Sequence, residues 1–101
     1  MNESGMVMTV LEAQVAQPDW ATLEAAYADR TQTLPAGLVQ TFLVQSRDES
    51  PLWRIISVWE SQEALDQMRH SGETLGGVLI FRAAGAEPTL SVFGVSQHVH
   101  P

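Results

Sequence analysis

Seven residues have types and spacing that could do chemistry: Tyr27, Trp53, Trp59, Met68, His70, Phe81 and Arg82. Trp59 is expected at the end of a central strand, where its indole could wall a flat aromatic molecule and stack on it. It could equally anchor that strand to a helix beginning at Ser61, and the two roles are compatible. Trp53 falls six residues earlier on the same face, so that face is aromatic at both ends, and sheet packing is the simpler role there. His70, an imidazole, could pass a proton to or from a ligand. A partly charged imidazole near a helix C-terminus also complements the dipole without further purpose. Tyr27 lies on an apolar helical stripe and could aim its hydroxyl into a pocket or pack in the core with that hydroxyl satisfied. Arg82 could steady an anionic oxygen or be a solvated surface cation. Met68 and Phe81 suit an apolar cavity lining as well as ordinary core. The catalytic candidates are therefore His70, Tyr27 and Arg82, and the substrate-binding candidates are Trp59, Trp53, Met68 and Phe81.

Other chemistry is set aside by composition. The chain has no cysteine, which excludes disulfides, thiolate catalysis and Cys-ligated metals. His98 and His100 have the i, i+2 spacing of a metal pair on the last strand's extension, but no third ligand accompanies them at a terminus prone to fray. No metal or other cofactor is expected. The formal net charge is −7, with five Lys and Arg scattered along the chain. Nucleic-acid backbones and anionic membrane surfaces are disfavoured partners for that reason. The twelve acidic residues show no close pair with acid/base logic and read as solubility charge. No apolar run approaches the roughly 20 residues that span a bilayer. The N-terminus lacks the basic start of a signal peptide, so a cytoplasmic location is expected.

These side chains need elements to position them. The 101 residues suffice for one core, expected over 6–101 behind a flexible N-terminus at 1–5. Met6 to Val15 is expected as a strand, with Leu11, Ala13 and Val15 alternating with Glu12 and Gln14. Pro18 and Asp19 suit the first turn of a helix that carries Trp20, Leu23, Ala26 and Tyr27 on one stripe. Leu34-Pro35-Ala36-Gly37 punctuates the chain before a strand over Leu38 to Gln45. A polar turn over 46–51 leads to a third strand, Leu52 to Trp59. Ser61 is a plausible N-cap for a helix with Ala64, Leu65 and Met68 inward, ending at Ser71-Gly72. A further short helix is expected from about Leu75 to Ala84, and a last strand over Thr89 to Val99. The result is an α+β domain of βαββαβ order.

Both faces of the strands are apolar. Trp53, Ile55, Ser57 and Trp59 alternate with Arg54, Ile56, Val58 and Glu60; Leu38, Phe42 and Val44 with Val39 and Leu43; Leu90 and Val92 with Phe93, Val95 and Val99. An antiparallel sheet with one wet face shows a cleaner alternation of apolar and polar residues. Two or three short helices cover one face, so the other needs a partner, and a second copy of the chain is the simplest.

The Val58-Trp59-Glu60-Ser61 strand end, followed by Gln62-Glu63-Ala64-Leu65 opening a helix, resembles the antibiotic biosynthesis monooxygenase (ABM) family of the dimeric α+β-barrel superfamily. The resemblance extends from about Met6 to Val99. It implies a ferredoxin-like monomer with an antiparallel sheet, a homodimer whose two sheets form a barrel, and a pocket between each sheet and its helices. Some members of the family oxidise aromatic phenols to quinones with molecular oxygen and neither metal nor flavin. Others open haem, using a second tryptophan in the helix after the Trp59 position and an iron-ligating histidine in the next helix. Counted from Trp59, those positions fall near Met68 and Val78. Val78 cannot ligate iron, and His70 lies on the earlier helix, about 200° around it from Met68. Haem degradation is disfavoured on this count.

Two functions follow from the resemblance together with the residues. One is a cofactor-independent monooxygenase acting on a small aromatic, phenol- or polyketide-type compound. The other is a non-catalytic dimeric module that binds a hydrophobic small molecule.

Overall fold

Period-two burial builds the centre of the sheet. In β1, Val7–Gln14, residues Val7, Thr9, Leu11 and Ala13 are buried while the residues between them are not. β3, Leu52–Trp59, buries Trp53, Ile55 and Trp59 on one side, with Ser57 half-buried in the same row. Such alternation lets one strand place one row against helices and the other row outward. The computed structural model describes residues 5–71 and 75–100. The N-terminal stretch read over 1–5 lies, except for Gly5, outside the described residues, as does Gly72.

The remaining elements are α1 (Trp20–Arg30), β2 (Leu38–Gln45), α2 (Gln62–His70), α3 (Gly76–Ala83) and β4 (Thr89–Gly94). The four strands pair antiparallel in the order β2-β3-β1-β4, which is the ferredoxin-like arrangement expected for βαββαβ. Pro18 lies in a 3-10 turn over Gln17–Asp19 that leads into α1. Ser61 caps α2 as expected: its Oγ accepts the Ala64 backbone N–H at 3.0 Å. β4 ends at Gly94 rather than Val99, so His98 and His100 stand beyond the sheet with their rings 6.2 Å apart.

One strand face departs from strict alternation. Leu38 pairs with Trp59 and Gln40 with Val58, so β2 carries an extra residue there. This bulge turns Leu38 to the side of Thr41 and Leu43, leaving Phe42 and Val44 on the opposite side. Leu38 therefore does not share a face with Phe42 and Val44, as unbroken alternation would have it; an inserted residue exchanges the faces on either side of it.

The helices cover one face. Leu23, Ile80, Phe81 and Ala84 pack with Leu11, Ala13, Val15, Trp53 and Ile55, and Trp20, Ala26 and Tyr27 join from α1. A second cluster joins Val7, Trp59 and Leu65 to Leu38, Met68 and Leu75. Gly77 lets α3 approach the sheet, since a Cβ there would run into Leu11 and meet Ile55. Gly37 has φ +88°, and a Cβ at this position would stand 2.5 Å from the Ala64 Cβ. Gly37→Ala should therefore cost about 2–3 kcal/mol, combining left-handed backbone strain with overpacking of the α2 start. A urea-unfolding midpoint equal to that of the parent protein would show that this junction yields instead.

The other face is apolar and uncovered by any other described residue. In register across the sheet run Phe42, Ile56, Val10 and Ser91, and beside them Gln40, Val58, Met8 and Phe93. Phe42 is 47% exposed and Phe93 53%. β4 is exposed along its whole length, including Leu90 and Val92 on the helix side.

Candidate functional site

A cleft opens where the helix-side face of β1, β2 and β3 meets the end of α1 and the start of α3. Its floor is the sheet: Thr9 and Leu11 from β1, Leu38 and Thr41 from β2, and Ile55, Ser57 and Trp59 from β3. Tyr27, Arg30 and Thr31 close it from α1, Leu34 and Pro35 from the following loop, Met68 from α2, and Gly76, Gly77 and Ile80 from α3. Gly76 and Gly77 carry no side chains to fill it. The cavity volume is about 70 Å³, and the cleft continues outward into an open mouth.

The walls are apolar and the floor carries a row of hydroxyls. Thr41 pairs with Ser57, and Ser57 with Thr9, in the strand register. The Thr41 and Ser57 hydroxyls lie 3.1 Å apart, and the Trp59 indole N–H donates to Thr9 Oγ at 3.2 Å. That bond answers the need of a buried indole N–H for a partner. By contrast, the buried Trp53 N–H has no partner among the described residues. No carboxylate or histidine lines the cleft among the described residues, and Arg30 is the cation at its rim.

The structure brings three of the seven candidates together here: Tyr27, Trp59 and Met68. Trp59 is only 3% exposed, so it is both cleft wall and core anchor, because β3 ends where α2 begins. Trp53 faces the same side but lies at the far end of β3, edge-on to Trp20 with ring centroids 5.9 Å apart. Phe81 is fully buried in the core cluster rather than at the cleft. His70 ends α2 exposed to solvent, outside the lining. Arg82 faces solvent on α3 and is bound to Glu87 by two hydrogen bonds of 3.0 Å. Hydrogen bonding to Glu87 raises the pKa of Arg82 above its ordinary value, and the same bond from the guanidinium lowers that of Glu87. Among the described residues, no three His, Asp or Glu side chains converge as metal ligands.

None of these hydroxyls is among the candidates read from the sequence; the signal available for them is a polar residue on an otherwise apolar strand face. Ser57 stands in the row Trp53, Ile55, Ser57, Trp59 and Thr9 between Val7 and Leu11. A polar residue that interrupts a buried stripe requires a partner, and this marks it for attention.

Fold and cleft together define the class: a ferredoxin-like α+β domain with an apolar cleft between its sheet and its helices. Residues 6–76 match the antibiotic biosynthesis monooxygenase family. The chain belongs to that family. Comparison with curated proteins finds no match. Among solved structures, it is similar to a variant of SnoaB, a cofactor-independent oxygenase from Streptomyces nogalater, at 19% identity and TM-score 0.72, covering 94% of this chain and 97% of that one. A Caulobacter crescentus protein assigned to the same family shares 19% identity at TM-score 0.70, over 95% of this chain and 94% of that one. A conserved protein from Methanosarcina mazei shares 13% identity at TM-score 0.63, over 91% and 94%. No helix among the described residues is long and apolar enough to cross a membrane.

Proposed function

We propose that this protein is a cofactor-independent monooxygenase that oxidises a small aromatic, phenol- or polyketide-type compound in the cleft beside Trp59. The observation that carries the reading is an apolar cleft with an indole wall and a polar floor, in a chain of the monooxygenase family. Similarity to SnoaB adds a protein described as a cofactor-independent oxygenase. Such chemistry balances without an external reductant. A phenolic ring carbon loses hydrogen and gains one oxygen atom from O₂, the phenol loses its proton, and the second oxygen leaves as water. The protein's part is to hold the ring in a dry, apolar setting and to stabilise the electron-rich phenolate. Trp59 and Met68 would contact the ring. Tyr27 would orient its oxygen, since it brings a phenolic hydroxyl to the described lining. His70 and Arg82 would reach a ligand only at the surface, where the structure leaves them.

A second reading has its own support. No carboxylate or histidine lines the cleft among the described residues, which suits a module that binds a hydrophobic metabolite without turning it over. In either case the exposed sheet face is proposed to pair with that of a second copy, closing a barrel. Oxygen uptake by the purified protein, followed with hydroxylated polycyclic aromatics and a metal chelator present, separates the two. Uptake with a quinone product is expected. A compound that binds by calorimetry while oxygen stays constant across the whole panel would assign the protein to the binding class.

A further inference from the structure

We propose that the hydroxyl row Thr41–Ser57–Thr9 selects ligands that turn a hydrogen-bond acceptor, a carbonyl or ionised phenol oxygen, towards the sheet; this rests on the cleft being the ligand site. A count of protons carries the inference. Thr9 Oγ accepts the Trp59 N–H, so the Thr9 hydroxyl proton must be donated elsewhere, and no described residue accepts it. The Thr41 and Ser57 hydroxyls share one hydrogen bond, which uses one of their two protons and leaves the other without an acceptor among the described residues. Three hydroxyls in register thus present two unspent protons to the cleft. Thr9 is only 4% exposed, so its proton has little access to bulk water. No carboxylate among the described lining residues competes for these donors.

A buried donor without a partner is unfavourable, and an acceptor oxygen placed over the row removes that penalty. A bare hydrocarbon of the same shape would gain the apolar contact of Leu11, Ile55 and Ile80 but would leave both protons unpaired. The row therefore acts as a specificity device: it distinguishes an oxygenated ring from its unsubstituted counterpart at one edge, while Trp59 and the aliphatic walls accept any flat ring. Each added hydrogen bond to a neutral acceptor is worth on the order of tenfold in affinity.

The test uses two probes of equal ring size, 1,4-naphthoquinone, which only accepts hydrogen bonds, and naphthalene, which does neither. Calorimetry on the parent protein should show naphthoquinone bound about tenfold more tightly or better. Thr9→Val and Ser57→Ala should each cut that preference to about threefold or less, with naphthalene affinity changed by less than about twofold, and Thr9→Ser should retain it. Ser57→Ala leaves the Trp59–Thr9 bond in place, so the comparison survives if Thr9→Val fails to fold. Equal binding of the two probes by the parent, or a preference that persists in both variants, overturns the role of the row and leaves the cleft reading standing. Absence of binding by either probe overturns both.

Discussion

Trp59→Ala is expected to lower stability by about 3–5 kcal/mol, the range for deleting a large buried aromatic, and to weaken binding of flat aromatic ligands by at least about tenfold. The indole is almost fully buried and packs with Val7 and Leu65, so its removal opens a cavity at the junction of β1, β3 and α2. It also removes the donor that holds Thr9 Oγ. Both effects act at once because the same ring forms the cleft wall. Urea unfolding reads the first and calorimetry with naphthoquinone the second. Trp59→Phe keeps most of the packing and an aromatic wall and loses the N–H, so most of the stability and most of the binding should return. If affinity is unchanged in the alanine variant while stability falls, Trp59 is an anchor alone and the ligand lies elsewhere.

Ile56→Asp is expected to convert a dimer into a monomer. Ile56 sits in the middle strand pair of the uncovered face, flanked in register by Phe42 and Val10. In the proposed pairing, this carboxylate would be buried against apolar side chains of the partner without a cation opposite, a strongly unfavourable placement for a charge. The dimer dissociation constant should rise by at least about a hundredfold, since an unpaired buried charge costs several kcal/mol. In the isolated chain Ile56 points away from the helices, so the fold itself should survive. Sedimentation at micromolar concentration reads the mass directly. A parent protein that is already a well-folded monomer, or a variant that remains dimeric, removes this face from the interface. The exposed Phe42 and Phe93 of that face would then need a different covering.

Much of the architecture follows from local pattern. β2 and β3 have the bounds expected from alternation and turn residues. The same is true of the Ser61 cap, because a serine before a helical stripe supplies a local hydrogen bond that no distant contact need assist. Leu11, Ala13 and Val15 are buried as their alternation implies. Where pattern misleads, a single inserted residue or a strand end is responsible. The bulge near Val39 reverses the side of Leu38, and the last strand stops at Gly94 although apolar residues continue to Val99.

The sequence by itself determined the element order, the helix-side apolar stripe and the Trp59-to-Ser61 junction, because each depends on spacing within a few neighbouring residues. Only the tertiary structure decided which candidates share a site. Trp59, Met68 and Tyr27 come from three separate elements and converge on one cleft, while Trp53 and Phe81 enter the core and His70 and Arg82 face solvent. The hydroxyls of Thr9, Ser57 and Thr41 belong to three strands far apart along the chain. Their alignment is a matter of strand register, which long-range pairing sets and local sequence does not.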